Sequence, residues 1–147
     1  MPIDTAGKSF MDIGCGKGMV LRVANELGYN KIAGLDLDQH MLDIAEKNMR
    51  ILNIDVELIN ANAIEYDNYQ DFDVFYMYNP FGVKILQSVV KKIRESQNER
   101  NRDIWIIFYA DKQKIDFEAL QFKTEKVIKD HSRGNTGWLY LLPARNY

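Results

Sequence analysis

Phe10-Met11-Asp12-Ile13-Gly14-Cys15-Gly16-Lys17-Gly18-Met19-Val20 decides how this 147-residue chain is read. An apolar run opens the stretch, three glycines alternate through its middle, and apolar residues at helical spacing follow. The pattern predicts strand, tight turn, helix. Glycine reaches backbone angles closed to other residues and lets a ligand approach the main chain. The helix start adds unpaired N–H groups and the positive end of its dipole. A polar, nucleotide-sized ligand over this loop is the expectation.

Spacing separates the nucleotide readings. A phosphate-cradling P-loop needs Ser or Thr after Gly-Lys and a glycine five positions before it. Here Gly18 follows Gly16-Lys17, and Met11 stands at the first glycine position. The dinucleotide fingerprint G-x-G-x-x-G accepts Gly14 and Gly16 but meets Met19 at its third glycine. What stands is Asp12-x-Gly14-x-Gly16-x-Gly18. An acidic residue two before three alternating glycines resembles motif I of the class I S-adenosylmethionine-dependent methyltransferases.

The resemblance continues down the chain. In Ile32-Ala33-Gly34-Leu35-Asp36-Leu37-Asp38, Asp36 matches the acid that binds both ribose hydroxyls, and Leu37 falls beside the adenine. In Leu58-Ile59-Asn60-Ala61-Asn62-Ala63, Asn62 replaces the usual Asp that meets the adenine amino group. Phe72 to Phe81 resembles the fourth strand and motif IV. The resemblance implies S-adenosylmethionine as cofactor, held by Asp12, Gly14, Cys15, Gly16, Asp36, Leu37, Asn62, Ala63 and Asn79. Asn79-Pro80-Phe81-Gly82 is similar to the Asn-Pro-Pro-aromatic motif of enzymes that methylate planar amino groups, with one proline in place of two. It implies Asn79 and Phe81 as catalytic residues and an amino nitrogen as acceptor.

Composition sets the frame. The length suits one domain, residues 1–147, with a real core. With 19 Lys and Arg against 21 Asp and Glu, the net charge of −2 gives no argument for nucleic acid or an anionic membrane. One cysteine excludes an internal disulfide, which suits the cytoplasm. No apolar run approaches a membrane span. The first strand follows Lys8 without the helices that many class I methyltransferases place before it. A trimmed N-terminus, an open cofactor cleft, or a partner or second copy covering that cleft are the expectations.

Strand and helix patterns alternate. A helix is expected over 18–27, with Val20, Val23, Ala24 and Leu27 inward and Gly28 as its left-handed cap. A strand follows at 31–36. Asp38 caps a helix whose inner face holds Met41, Leu42, Ala45, Met49 and Leu52. Strands at 56–60 and 73–78 precede a helix over 83–96, with Ile85, Leu86, Val89, Val90 and Ile93 inward. Residues 104–110 read as a strand buried on both faces. A short helix within 111–121 and strands at 122–129 and 138–142 complete the chain. The pattern predicts an α/β fold with a mostly parallel sheet and helices on both faces. The resemblance implies a three-layer, Rossmann-like sandwich of seven strands in the order 3-2-1-4-5-7-6, the last antiparallel.

Other residues carry plainer readings. Tyr76, Tyr78 and Tyr109 read as buried sheet aromatics, with a place lining the substrate cleft as the alternative for Tyr78, which stands next to motif IV. His40 and His131 lack metal-ligand spacing, and no metal site is expected. Cys15 reads as a small loop residue, and Lys17 faces solvent. Lys91, Lys92, Arg94, Arg100 and Arg102 are interspersed with acids and read as a solvated face. Two competitors stand beside methyl transfer. A nicotinamide-dependent oxidoreductase is disfavoured by Met19 and the want of a second domain. A catalytically degenerate domain that binds the cofactor or a partner is the other.

Overall fold

The alternating apolar runs condense into one sheet. The computed structural model describes residues 3–78, 81–113, 115–130 and 132–146. In chain order the elements are β1 (Ser9–Ile13), α1 (Met19–Glu26), β2 (Lys31–Asp36), α2 (Gln39–Ile51), β3 (Glu57–Asn60) and β4 (Val74–Tyr78). Then come α3 (Val83–Glu95), β5 (Ile104–Ala110), β6 (Lys123–Asp130) and β7 (Asn135–Leu142). The short helix expected within 111–121 is a single 3-10 turn, Glu118–Leu120.

The sheet order is β3-β2-β1-β4-β5-β7-β6. Strands β1 to β5 pair in parallel, and β7 runs antiparallel to both β5 and β6. Gly14 and Asp36 therefore share the carboxyl edge, where open parallel sheets bind ligands. In register, Asp12 of β1 lies between Gly34 of β2 and Tyr76 of β4.

Two cores sandwich the sheet. On one face α3 contributes Leu86, Val89, Val90 and Ile93 against Met11, Ile13, Phe75, Met77 and Phe108. On the other, α1 and α2 contribute Leu21, Ala24, Leu42 and Met49 against Phe10, Ile32 and Val74. Asp38 caps α2 by accepting a hydrogen bond from His40 N at 2.9 Å. Gly28 takes φ 87° after α1, as expected of a left-handed cap.

Helical spacing overstated the inner faces. Val23 and Leu27 of the first helix segment, Leu52 after α2 and Ile85 of α3 are exposed. A helix lying on a flat sheet buries a narrow stripe, and residues at its margin stay wet. Strand β5 departs too. Ile104, Ile106, Phe108 and Ala110 are buried, while Trp105, Ile107 and Tyr109 are half-buried. Helices α1 and α2 pack on β1, β2 and β3, so the same face of β5 is only partly covered.

Candidate active site

The glycine loop turns the chain from β1 into α1 through backbone angles that favour glycine. Gly14, Gly16 and Gly18 have φ of 83°, 53° and 93°. Gly14 N and Cys15 N both donate to Leu35 O, at 2.7 and 3.1 Å, which ties the loop to β2. A Cβ built on Gly16 meets nothing within 4 Å, so the space beside that residue is open. Glycine at 34 serves Cys15, because a Cβ there would lie 2.7 Å from the Cys15 Sγ.

Asp36 ends β2 and links the loop to the next helix. Its Oδ2 accepts from Gly16 N at 2.9 Å, and its Oδ1 accepts from Asp38 N at 2.9 Å. Each oxygen keeps acceptor capacity beyond these bonds. Asn60 Nδ2 donates to Asp36 O and Leu37 O, at 3.2 and 3.0 Å, and holds the strand end in place. Beside this carboxylate lies a cleft of about 440 Å³ lined by Gly14, Leu35, Asp36, Leu37, Ala61, Asn62, Ala63, Tyr78 and Phe81. Its size and mixed lining suit a small-molecule site.

Of the residues singled out in the sequence, the cleft lining gathers Gly14, Asp36, Leu37, Asn62, Ala63 and Phe81. Asn62 Oδ1 accepts from Ile64 N at 3.0 Å, which fixes the side chain and leaves a second lone pair on that oxygen. Asp12 is buried behind the loop at 3% exposure. Burial, and then the charge of Asp36, push its carboxyl up to about 7. Cys15 is buried, and burial first, with Asp12 and Asp36 behind it, pushes its thiol up to about 12. A thiol so disfavoured from ionising is no nucleophile at neutral pH. Asn79, Pro80 and His131 lie outside the described residues.

Two residues depart from the plainer reading, and Tyr78 takes its alternative place on the cleft. Tyr78 is 52% exposed on the cleft rather than buried in the sheet. Arg102 is 7% exposed rather than solvated. It donates to Phe72 O, Tyr69 O, Arg100 O and Ser96 at the opposite, amino edge. The contacts that hold them are not local, since their partners lie up to 57 residues away. The described residues contain no cluster of three His, Cys, Asp or Glu able to hold a metal, and no helix long and apolar enough to cross a membrane.

A glycine loop and a strand-end carboxylate on one cleft of a mostly parallel, seven-stranded sheet define a nucleoside-binding, Rossmann-like domain. The comparisons sharpen that class. The methyltransferase domain family matches residues 10–99, and the chain belongs to that family. A ribosomal protein L11 methyltransferase of Dictyoglomus thermophilum is 25% identical over 133 residues, 90% of this chain and 42% of that protein. The chain thus spans less than half the length of this curated relative. Among solved structures, a ribosomal protein L11 methylase from Lactobacillus delbrueckii subsp. bulgaricus has a TM-score of 0.72 at 17% identity, over 95% of this chain and 71% of that one. A tRNA (uracil-54, C5)-methyltransferase from Pyrococcus abyssi, in complex with S-adenosyl-L-homocysteine, has a TM-score of 0.69 at 16% identity, over 93% and 34%. At these identities the structural likeness speaks to the fold.

Proposed function

We propose that this domain binds S-adenosylmethionine in the carboxyl-edge cleft and transfers its methyl group to an amino nitrogen. One observation carries the cofactor reading. The Asp36 carboxylate is held by Gly16 N and Asp38 N at the mouth of a cleft that begins at the glycine loop. That arrangement fits a ribose: a fixed carboxylate with free lone pairs accepts from vicinal hydroxyls, while Leu37 and Ala63 offer apolar contact to an adenine ring. Asn62 supplies an amide for the adenine edge.

When bound, the cofactor supplies an electrophilic methyl group on sulfur. The chain supplies binding and alignment. Asp36 holds the ribose end, the glycine loop leaves room for the backbone to approach the ligand, and Asp12 places a carboxyl of raised pKa behind that loop. A positively charged ligand beside Asp12 favours its ionised form. Phe81 lines the same cleft and is assigned from its motif to the acceptor side. Asn79 is assigned from its motif to orient the acceptor amine.

Calorimetric titration with S-adenosylhomocysteine, with NAD run alongside, tests the cofactor reading. Micromolar binding of the first and none of the second is expected. Binding of NAD alone overturns it. With cofactor bound, Asn79→Ala should abolish turnover and leave that affinity intact; joint loss of both would make Asn79 a structural loop residue.

A further inference from the structure

The carboxyl edge carries a second built feature beside the cofactor residues. Tyr78, the last residue of β4, lines the cleft together with Phe81. Its ring stacks on Tyr109 of β5, with centroids 5.4 Å apart and planes 25° from parallel. Both hydroxyls are tied down. Asn135 Nδ2 donates to Tyr78 Oη at 3.1 Å, and Tyr109 Oη donates to Asp130 Oδ2 at 2.9 Å. Asp130 is itself fixed, since Ser132 N and Ser132 Oγ donate to its Oδ1 at 3.1 and 2.6 Å.

The neighbouring strand is shaped to match. Gly137 of β7 is the register partner of Tyr109. A Cβ at Gly137 would stand 3.1 Å from the Tyr109 Cδ2, so glycine lets the ring lie close against β7. Strands β4, β5, β6 and β7 thus all contribute to holding one ring pair still. Burial alone does not account for this. Tyr78 is 52% exposed, so it gives up side-chain freedom without the full apolar return of a core aromatic. A ring held in place while half-exposed is preorganised to receive the face of a ligand.

We propose that the Tyr78–Tyr109 stack is the acceptor platform of the cleft and selects acceptors that present a flat ring, with a neutral heteroaromatic amine as the chemical class. The proposal rests on the methyl-transfer reading and deepens it. A planar ring laid on the open face of Tyr78 extends an existing stack by one layer, in the offset geometry aromatic pairs favour. Phe81 adds a second aromatic to the same lining. A saturated ammonium has no flat face to stack and is left with the weak cation–π contact of an exposed ring, which makes it the discriminating control.

The test follows tyrosine ring resonances by NMR on the full chain saturated with S-adenosylhomocysteine, so that the adenine subsite is filled. Two probes are titrated: adenine, and cyclohexylamine as the saturated amine. Adenine should shift the Tyr78 and Tyr109 signals saturably, and cyclohexylamine should leave them in place. Tyr78→Ala should bind adenine about tenfold more weakly while holding S-adenosylhomocysteine as the parent does. Tyr78→Phe keeps the stacking face and should retain adenine. The platform is overturned by no saturable shift with adenine, by a shift with cyclohexylamine alone, or by equal adenine affinity in Tyr78→Ala. It is equally overturned if Tyr78→Ala loses S-adenosylhomocysteine together with adenine, which would make Tyr78 a structural residue. Failure of S-adenosylhomocysteine to bind the parent chain is a separate result, seen before any probe is added, and counts against the methyl-transfer reading.

Discussion

Asp73 and Asp12 sit at opposite edges of the same central strands, and the molecule treats them in opposite ways. Asp73 stands just before β4 at the amino edge. It accepts from Ser9 N at 2.9 Å and from Arg100 Nη2 at 2.6 Å, with the buried Arg102 Nε at 3.7 Å. Asp12 lies near the carboxyl end of β1, buried, with a second carboxylate as its charged neighbour. One edge pairs its charges and stores stability. The other sets two acids close together beside a cleft, at a cost in stability.

Breaking the amino edge should have the largest effect. Arg102→Ala strands carbonyls of Tyr69, Phe72 and Arg100 that the guanidinium now serves, and leaves Asp73 with one cation fewer. Loss of a buried charged hub of this kind costs about 3–5 kcal/mol. Urea unfolding should show the drop, while the folded fraction binds S-adenosylhomocysteine with unchanged affinity. A variant that keeps its stability and loses affinity would reverse the roles assigned to the two edges.

The carboxyl edge should respond in the other direction. Burial, and then the charge of Asp36, hold the Asp12 carboxyl up at about 7 in the fold, against about 4 for a free aspartate. Between those values the folded state holds a proton that the unfolded state has released. Stability from this group is therefore full below about pH 4, falls as pH rises toward 7, and stays lost above that. Asp12→Asn has no such decline. Without cofactor, its stability relative to the parent should gain about 3 kcal/mol between about pH 5 and about pH 8. Parallel unfolding curves for the two proteins across that range would remove the claim that Asp12 is a strained group.

How much of this was legible in the sequence follows the same division. The glycine loop and Asp36 were readable because their chemistry is local. Gly16 N meets an acid 20 residues on, through one strand–helix–strand unit. The sheet order came from the family resemblance, and the strand and helix positions from apolar periodicity. Tyr78 on the cleft was an open alternative beside motif IV, but the Tyr109 stack behind it and the Arg102 hub were not readable. Tyr78 takes its pin from Asn135, and Arg102 reaches back to Tyr69. Composition makes Tyr78 a sheet aromatic and Arg102 a surface cation. Which side of the sheet the helices leave bare, and which carbonyls converge on one pocket, is decided by packing. The exposed margins at Val23, Leu52 and Ile85 are a milder case of the same limit.

Within the carboxyl edge, Asp36 and Asp38 offer a finer division. Asp36→Ala removes the carboxylate that faces the cleft and should cost about 1–3 kcal/mol of S-adenosylhomocysteine affinity through lost charge-assisted hydrogen bonds. Calorimetry measures it directly, and an unchanged affinity would remove Asp36 from the site.

Asp38 is only two residues away and does a different job. Its carboxylate accepts from His40 N and caps α2, while its own backbone N–H donates to Asp36. Asp38→Ala deletes the cap and keeps that N–H, so the Asp36 carboxylate stays where it is. The expected loss is about 1 kcal/mol of folding stability, the usual value of a carboxylate N-cap. Cofactor affinity should move by less than about twofold, since the backbone donor survives and α2 is anchored by Leu42, Ala45 and Met49. Thermal unfolding and calorimetry on the same sample separate the two quantities. An affinity loss in Asp38→Ala as large as that in Asp36→Ala would mean that the start of α2 and the Asp36 carboxylate act as one unit.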